Sequence, residues 1–327
     1  MGGFCMAGGL GLALSGGGAH GAFQVGVLDE LITRRGIDFE SIAGTSTGAI
    51  QAAAVAQNSV DELLAFWTGI TGPDDIYKSR GGPLWAIITG KDSIYSVGPL
   101  HELLRNAYHD ERIRATGKNL RLAVVNITTG EFRTIAESTD NLADWVLASA
   151  AQPPFFPPWI THDIQAHKEQ WVDGGVKDVT PYNSLLQLKP RAILCVRAEA
   201  PLAHPRKPYN SVVTIGLRSV ELLTREVADS DLAGVELVND ILRAAAAQEA
   251  KLVALGLTPE QVTEAMAPLR ERIDRYALIP TMVIEPATNL YETIEFIPEL
   301  LLQNIERGRE AVRSDWPNIA SFLGVPE

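Results

Sequence analysis

Gly44-Thr45-Ser46-Thr47-Gly48 is the stretch on which the fold of this chain turns. A serine between two glycines at this spacing fits a nucleophile elbow. That is a tight strand-to-helix turn that exposes the hydroxyl and leaves the next backbone N–H free to bind an oxyanion. The flanks agree. Ile42-Ala43 closes a short apolar run, and Ala49-Ile50-Gln51-Ala52-Ala53-Ala54-Val55-Ala56 predicts a small-residue helix able to lie close under a sheet. Five such residues also form ordinary glycine turns, so the reading depends on the neighbours.

Upstream, Leu10-Gly11-Leu12-Ala13-Leu14 reads as a strand that runs into Ser15-Gly16-Gly17-Gly18-Ala19-His20-Gly21. A helix follows, with Val25, Leu28, Leu31 and Ile32 at helical spacing and Arg34, Arg35 and Gly36 as its stop. Glycines at a helix N-terminus present free N–H groups to a phosphate or to the oxyanion of acyl transfer. Gly16, Gly18 and Gly21 also fit G-x-G-x-x-G, with Asp38 or Glu40 near the ~20-residue offset of a dinucleotide fingerprint. That fingerprint wants its acid at the end of the second strand, whereas here the second apolar run follows the acids. The phosphate-loop version lacks its Gly-Lys-Ser/Thr.

Downstream, Asp173-Gly174-Gly175 follows Trp171-Val172 and offers a carboxylate base at the end of an apolar step; the same residues also suit a plain Asp-Gly turn. Ser46, Asp173 and His204 have the chain order of an α/β-hydrolase triad. His204, however, sits in the linker-like Pro201–Pro208 stretch, His162 and His167 flank a polar segment, and His101 and His109 fall on a polar helix. No histidine context points to general-base work, and no cluster has metal-ligand spacing.

Ser59-Val60-Asp61-Glu62 and Thr258-Pro259-Glu260-Gln261 read as helix starts with capping boxes. Gly72 to Pro99, rich in Gly and Pro yet carrying Trp85, Ile87 and Ile88, suits either a mobile flap or a plain connection. Leu120–Ile127 and Glu131–Ala136 predict a hairpin, and a helix is expected from Asn141. Arg191–Val196 predicts a buried strand, and Ala277–Pro286 a late strand at an edge because of Pro280. Between Pro208 and Gly256 the chain reads as one long helical region.

The 327 residues can bury a substantial core. A formal charge of −12 argues against nucleic-acid binding and against purely electrostatic docking on anionic membranes, while leaving room for transient apolar contact with a membrane surface. Only Cys5 and Cys195 occur, so no disulfide framework is expected. The N-terminus lacks a basic signal-peptide region, and no apolar run approaches the ~18 residues of a span. The expectation is a soluble, cytoplasmic protein.

In sequence order, Gly16–Gly21, Gly44–Gly48, Ala148-Ser149-Ala150-Ala151-Gln152-Pro153-Pro154-Phe155-Phe156-Pro157-Pro158 and Asp173-Gly174-Gly175 resemble the motifs of the patatin-like phospholipase family across roughly Gly9 to Pro190. The resemblance implies an α/β fold of three layers, with a mainly parallel central sheet flanked by helices and a helix-rich C-terminal elaboration. Residues 8–200 would form the catalytic core and 201–327 an extension packed on the same domain. It implies a lipid acyl hydrolase with a Ser46–Asp173 dyad. The oxyanion hole would lie at Gly16, Gly17, Gly18 and Ala19, supported by Gly44, Gly48, Gly174 and Gly175. Phe155 and Phe156 are candidates to line an acyl channel, or equally to pack in the core. Phospholipid or lysophospholipid is the implied substrate, with no metal and no organic cofactor. A general esterase or thioesterase with a Ser-His-Asp triad, or a phosphate- or lipid-binding module, are the alternatives. The family usually carries Arg or Lys where this chain has His20. A histidine beside a helix N-terminus is expected to lose its charge near neutral pH, so activity would depend on it only weakly.

Overall fold

Uninterrupted apolar runs suit strands covered on both faces, and this chain places them in the middle of a sheet. The computed structural model describes residues 8–82, 85, 88–201, 208, 210, 212–274 and 276–326. Its central sheet has eight strands. They are β1 (Leu10–Leu14), β2 (Ser41–Gly44), β3 (Asn119–Asn126), β4 (Phe132–Ala136), β5 (Trp159–His162), β6 (Lys168–Asp173), β7 (Ala192–Val196) and β8 (Thr281–Ile284). The order is β8-β7-β1-β2-β3-β6-β5, with β4 also paired to β3. Strands β8, β7, β1, β2 and β3 run parallel to one another, while β4 and β6 pair antiparallel with β3, and β5 antiparallel with β6. Every residue of β1 and β7 is buried.

The described helices are α1 (Gly21–Leu28), α2 (Thr47–Ala56), α3 (Val60–Gly69), α4 (Gly98–Ala107), α5 (Asp110–Ala115), α6 (Leu142–Ser149), α7 (Tyr182–Leu186), α8 (Val212–Ala254), α9 (Pro259–Ile273), α10 (Pro298–Ser314) and α11 (Trp316–Leu323). Alternate strand residues feed two cores. Leu12, Leu14, Ile42, Leu194 and Val196 join α1, α2, α3 and α10 in the larger one. Ala13, Ala43, Ile193 and Cys195 meet Tyr182 and Leu185 of α7, with Leu232 and Val235 of α8 packed against them. The result is the expected three-layer α/β arrangement. β8 lies at the sheet edge beside β7. α10 packs along α1, where the buried carboxylates Asp29 and Glu30 pair with Arg309 at 2.6 Å and Arg313 at 3.0 Å.

The hairpin is present as β3–β4, and the Thr258–Gln261 capping box forms with both reciprocal bonds. The one at Ser59 does not: α3 begins at Val60, but the Ser59 hydroxyl donates to Ala54 O and accepts from the Gln57 amide instead. The Gly72–Pro99 excursion is anchored at both ends. Tyr77 OH donates to Ile294 O, and Tyr95 N–H donates to Phe155 O. Trp85 and Ile88 are exposed at its tip, while Ile87, like His204 and Cys5, lies outside the described residues.

Candidate active site

Register along β3 brings the two candidate side chains together. β2 pairs with β3 up to Gly44↔Leu122, and β6 pairs with it from Val124↔Asp173 onward. β4 spans both stretches, so it takes the opposite edge of β3 and leaves β2 and β6 end to end on the same one. Asp173 therefore ends its strand where the chain leaving β2 turns into the elbow. Ser46 sits at that turn with φ 58 and ψ −127, a strained combination for a residue with a side chain. The strain is held by close packing. A Cβ on Gly44 would fall 2.2 Å from Gly48 O, and one on Gly48 would fall 2.2 Å from Leu14 O. Ser46 N–H donates to Ser149 Oγ at 3.1 Å, and that hydroxyl donates to Ala123 O at 2.7 Å.

The Asp173 carboxyl lines the same cavity as Ser46, whose side chain is close enough to favour its ionised form, and accepts the Gly175 N–H at 2.7 Å. Burial pushes it up to about 7, against the lowering effect of those two neighbours. A carboxyl so poised can take and return a proton near neutral pH. Gly174 lets the chain turn away against β3: a Cβ there would lie 2.5 Å from Ala123 O.

The four amides expected to form an oxyanion hole divide into two pairs. Gly16 N–H donates to Val179 O at 3.1 Å and Ala19 N–H to Thr293 O at 2.7 Å, so both are committed. Among the described residues Gly17 and Gly18 N–H have no recorded acceptor, and the αL conformation of Gly18 (φ 53) suits glycine.

Ser46 lies where two cavities meet, and Gln152 and Thr293 also line both. One is apolar, walled by Ile50, Phe66, Trp67, Ile76, Leu100 and Phe156. The other carries the charged side chains Arg197, Glu199, Glu221, Arg225 and Asp229 around Gly17 and Asp173. Phe156 thus lines a channel, whereas Phe155 stacks on Tyr95 and lines neither cavity.

No described histidine lines either cavity. His101 bonds Asp144, His167 bonds Asp163, and His162 is exposed. His20 departs from expectation. Burial opposes its charge, but a hydrogen bond and the charge of Glu199, with the Tyr291 carbonyl, outweigh that and raise it above its ordinary value. The helix N-terminus does not decide its state, because a carboxylate 179 residues away does.

Three contributions were not assigned from sequence. Ser149 belongs to a quoted motif, yet its bond to the elbow is long-range. Thr293 and the residues around it come from a segment with no motif. Asp231 of α8 accepts Val179 and Thr180 N–H at 3.0 and 3.1 Å. It thereby braces the loop whose Val179 O holds Gly16 and whose Asp178 O accepts the Thr45 hydroxyl. Among the described residues no group of three or more His, Cys, Asp or Glu is placed to hold a metal ion, and no helix is long and apolar enough to cross a membrane.

The sheet thus carries a serine on a strained elbow beside a buried carboxyl, with two amides that have no acceptor among the described residues. The chain belongs to the patatin-like phospholipase family, whose model matches residues 12–186. An NTE family protein of Mycobacterium tuberculosis is 28% identical over 237 residues, covering 72% of this chain and 38% of the relative. A cGAMP-activated phospholipase of Escherichia coli is 28% identical over 54% of this chain and 55% of its own. A triacylglycerol lipase of Arabidopsis thaliana is 30% identical over 37% of this chain and 16% of its own. The chain thus spans about two fifths of the mycobacterial relative it matches.

Proposed function

We propose that this protein is a lipid acyl hydrolase acting on carboxylic esters through a Ser46 acyl-enzyme, with residues 8–200 as the catalytic core and 201–327 as an extension on the same domain. Asp173 takes the Ser46 hydroxyl proton as Oγ attacks the ester carbonyl, and the oxyanion settles on Gly17 and Gly18 N–H. The tetrahedral adduct collapses, Asp173 returns the proton to the leaving alcohol, and the acyl group stays on Ser46. Asp173 then deprotonates a water that attacks the acyl-enzyme, and as the Oγ–acyl bond breaks it returns that proton to Ser46 Oγ and the fatty acid is freed. The acyl chain lies among Ile50, Trp67, Leu100 and Phe156, and the alcohol portion leaves through the cavity that carries the charged side chains. Phospholipid or lysophospholipid is the substrate class, in line with the family and with the phospholipase among the relatives.

One observation carries this reading: Ser46, beside Asp173, sits where an apolar cavity meets one that carries charged side chains, as an amphipathic ester requires. The test is mass-spectrometric product analysis after incubation with a mixed lipid extract, with Ser46→Ala as control. Fatty acid release by wild type alone supports it, and equal release by both refutes it. A His-dependent triad would show instead as activity lost in His204→Ala.

A further inference from the structure

The glycine loop is gripped by a segment from the far end of the sequence. Ala19 N–H donates to Thr293 O, Tyr291 OH donates to Ala19 O at 3.0 Å, and the Asn304 amide donates to His20 O and to Tyr291 OH. His20 stands at the centre of this grip. Its Nδ1 lies 3.0 Å from Glu199 Oε1 and its Nε2 contacts Tyr291 O, while its ring stacks on Tyr291 with centroids 5.1 Å apart. A backbone carbonyl only accepts, so Nε2 carries a proton. Glu199 also accepts the Thr293 hydroxyl at 3.0 Å and pairs with Arg225 at 3.3 Å, contacts that keep it ionised, so Nδ1 carries a proton as well. Both nitrogens donate, and the ring is an imidazolium. The titratable or charged groups facing it are Glu199 after β7, Arg225 of α8 and Tyr291; α10 contributes the neutral Asn304.

We propose that His20 is a positioning residue for ester hydrolysis: its imidazolium, bridging Glu199 and the Tyr291 carbonyl, pins the Tyr291–Thr293 segment against the Gly17-Gly18-Ala19 turn and so holds the two unpaired amides in register with Ser46. The inference rests on the acyl-hydrolase reading above. When the ring loses its proton, one of the two bonds is lost and the turn loosens. Hydrolysis therefore falls as pH rises through the titration of His20. Thr293 also walls both cavities, so the grip and the substrate site share a residue.

The test uses the full chain and a short-chain nitrophenyl ester, with kcat and KM followed against pH for wild type, His20→Ala, His20→Arg and Glu199→Gln. A fluorophosphonate probe is applied to each sample, melting curves confirm folding, and 15N spectra of the wild-type imidazole report its protonation. The expected results are a doubly protonated His20 at pH 7 and an alkaline fall in wild-type kcat that moves to lower pH in Glu199→Gln. His20→Ala should lose about 10²-fold in kcat at nearly constant KM, the scale of a 1 Å misplacement in an active site. His20→Arg, which cannot titrate, should recover activity and lack the alkaline fall. A neutral ring at pH 7, or an alkaline limb unmoved by Glu199→Gln, overturns the inference while an active wild type leaves the hydrolase reading intact. A wild type that neither hydrolyses the ester nor takes the probe overturns both.

Discussion

Replacing Asp173 by Asn separates what the carboxyl does for catalysis from what it costs the fold. Burial lifts this group from 3.8 to about 7. Between about pH 4 and pH 7 the folded protein keeps a proton that the unfolded chain has released, so stability falls as pH rises across that window. Above about pH 7 both states are ionised and the full loss persists. At about 1.4 kcal/mol per tenfold change in binding, the step from 3.8 to about 7 amounts to about 4 kcal/mol. Asn preserves the shape and an acceptor for Gly175 N–H but does not titrate. Relative to wild type, Asp173→Asn should therefore gain stability from pH 4 to pH 8 by up to about 4 kcal/mol. Unfolding entropy for 327 residues is about 0.7 kcal/mol per kelvin, which makes this a relative rise of about 6 °C in melting temperature. The same substitution removes the base, with an expected loss of about 10²–10⁴ in kcat. Scanning calorimetry of both proteins at pH 4.5, 6 and 8, paired with ester hydrolysis, reads both effects. A melting difference that does not change with pH would refute the buried, perturbed carboxyl. Undiminished hydrolysis would refute its role as the base.

Ser149→Ala removes the acceptor of Ser46 N–H and unpairs Ala123 O, so it should destabilise by about 1–3 kcal/mol in chemical denaturation and slow probe labelling of Ser46. Leu100→Trp should fill the apolar cavity, abolishing hydrolysis of long-chain esters while a nitrophenyl acetate is still cleaved; equal losses on both would show that the cavity does not hold the acyl chain. Asp231→Ala strands Val179 and Thr180 N–H and should cost about 2–4 kcal/mol, whereas Asp231→Asn, which keeps an acceptor, should cost clearly less.

Much of the fold was legible where local chemistry and tertiary context agree. The runs Leu10–Leu14 and Ala192–Val196 carry no polar residue, and only a strand buried on both faces uses them well. The elbow glycines were readable because a crossing that tight excludes a Cβ. Capping was legible at Thr258 and misread at Ser59, where Ala54 O and the Gln57 amide, set by the preceding turn, capture the hydroxyl. That Ser46 and Asp173 belong to one candidate site was legible from one motif residue each, but which loop amides lack an acceptor among the described residues was not. That depends on Val179 O and Thr293 O, two carbonyls whose positions come from the tertiary fold. His20 failed for the same reason: its neighbours in sequence argue for a neutral ring, and Glu199 and Tyr291 reverse them from distant positions.

The central claim, that Ser46 is a nucleophile activated by Asp173, is tested most directly by fluorophosphonate labelling of the native protein at pH 8 followed by peptide mass spectrometry. The account predicts a single adduct on the peptide containing Ser46, absent in Ser46→Ala and formed far more slowly in Asp173→Asn. An adduct on another residue, or labelling of Ser46 at an unchanged rate in Asp173→Asn, would contradict it.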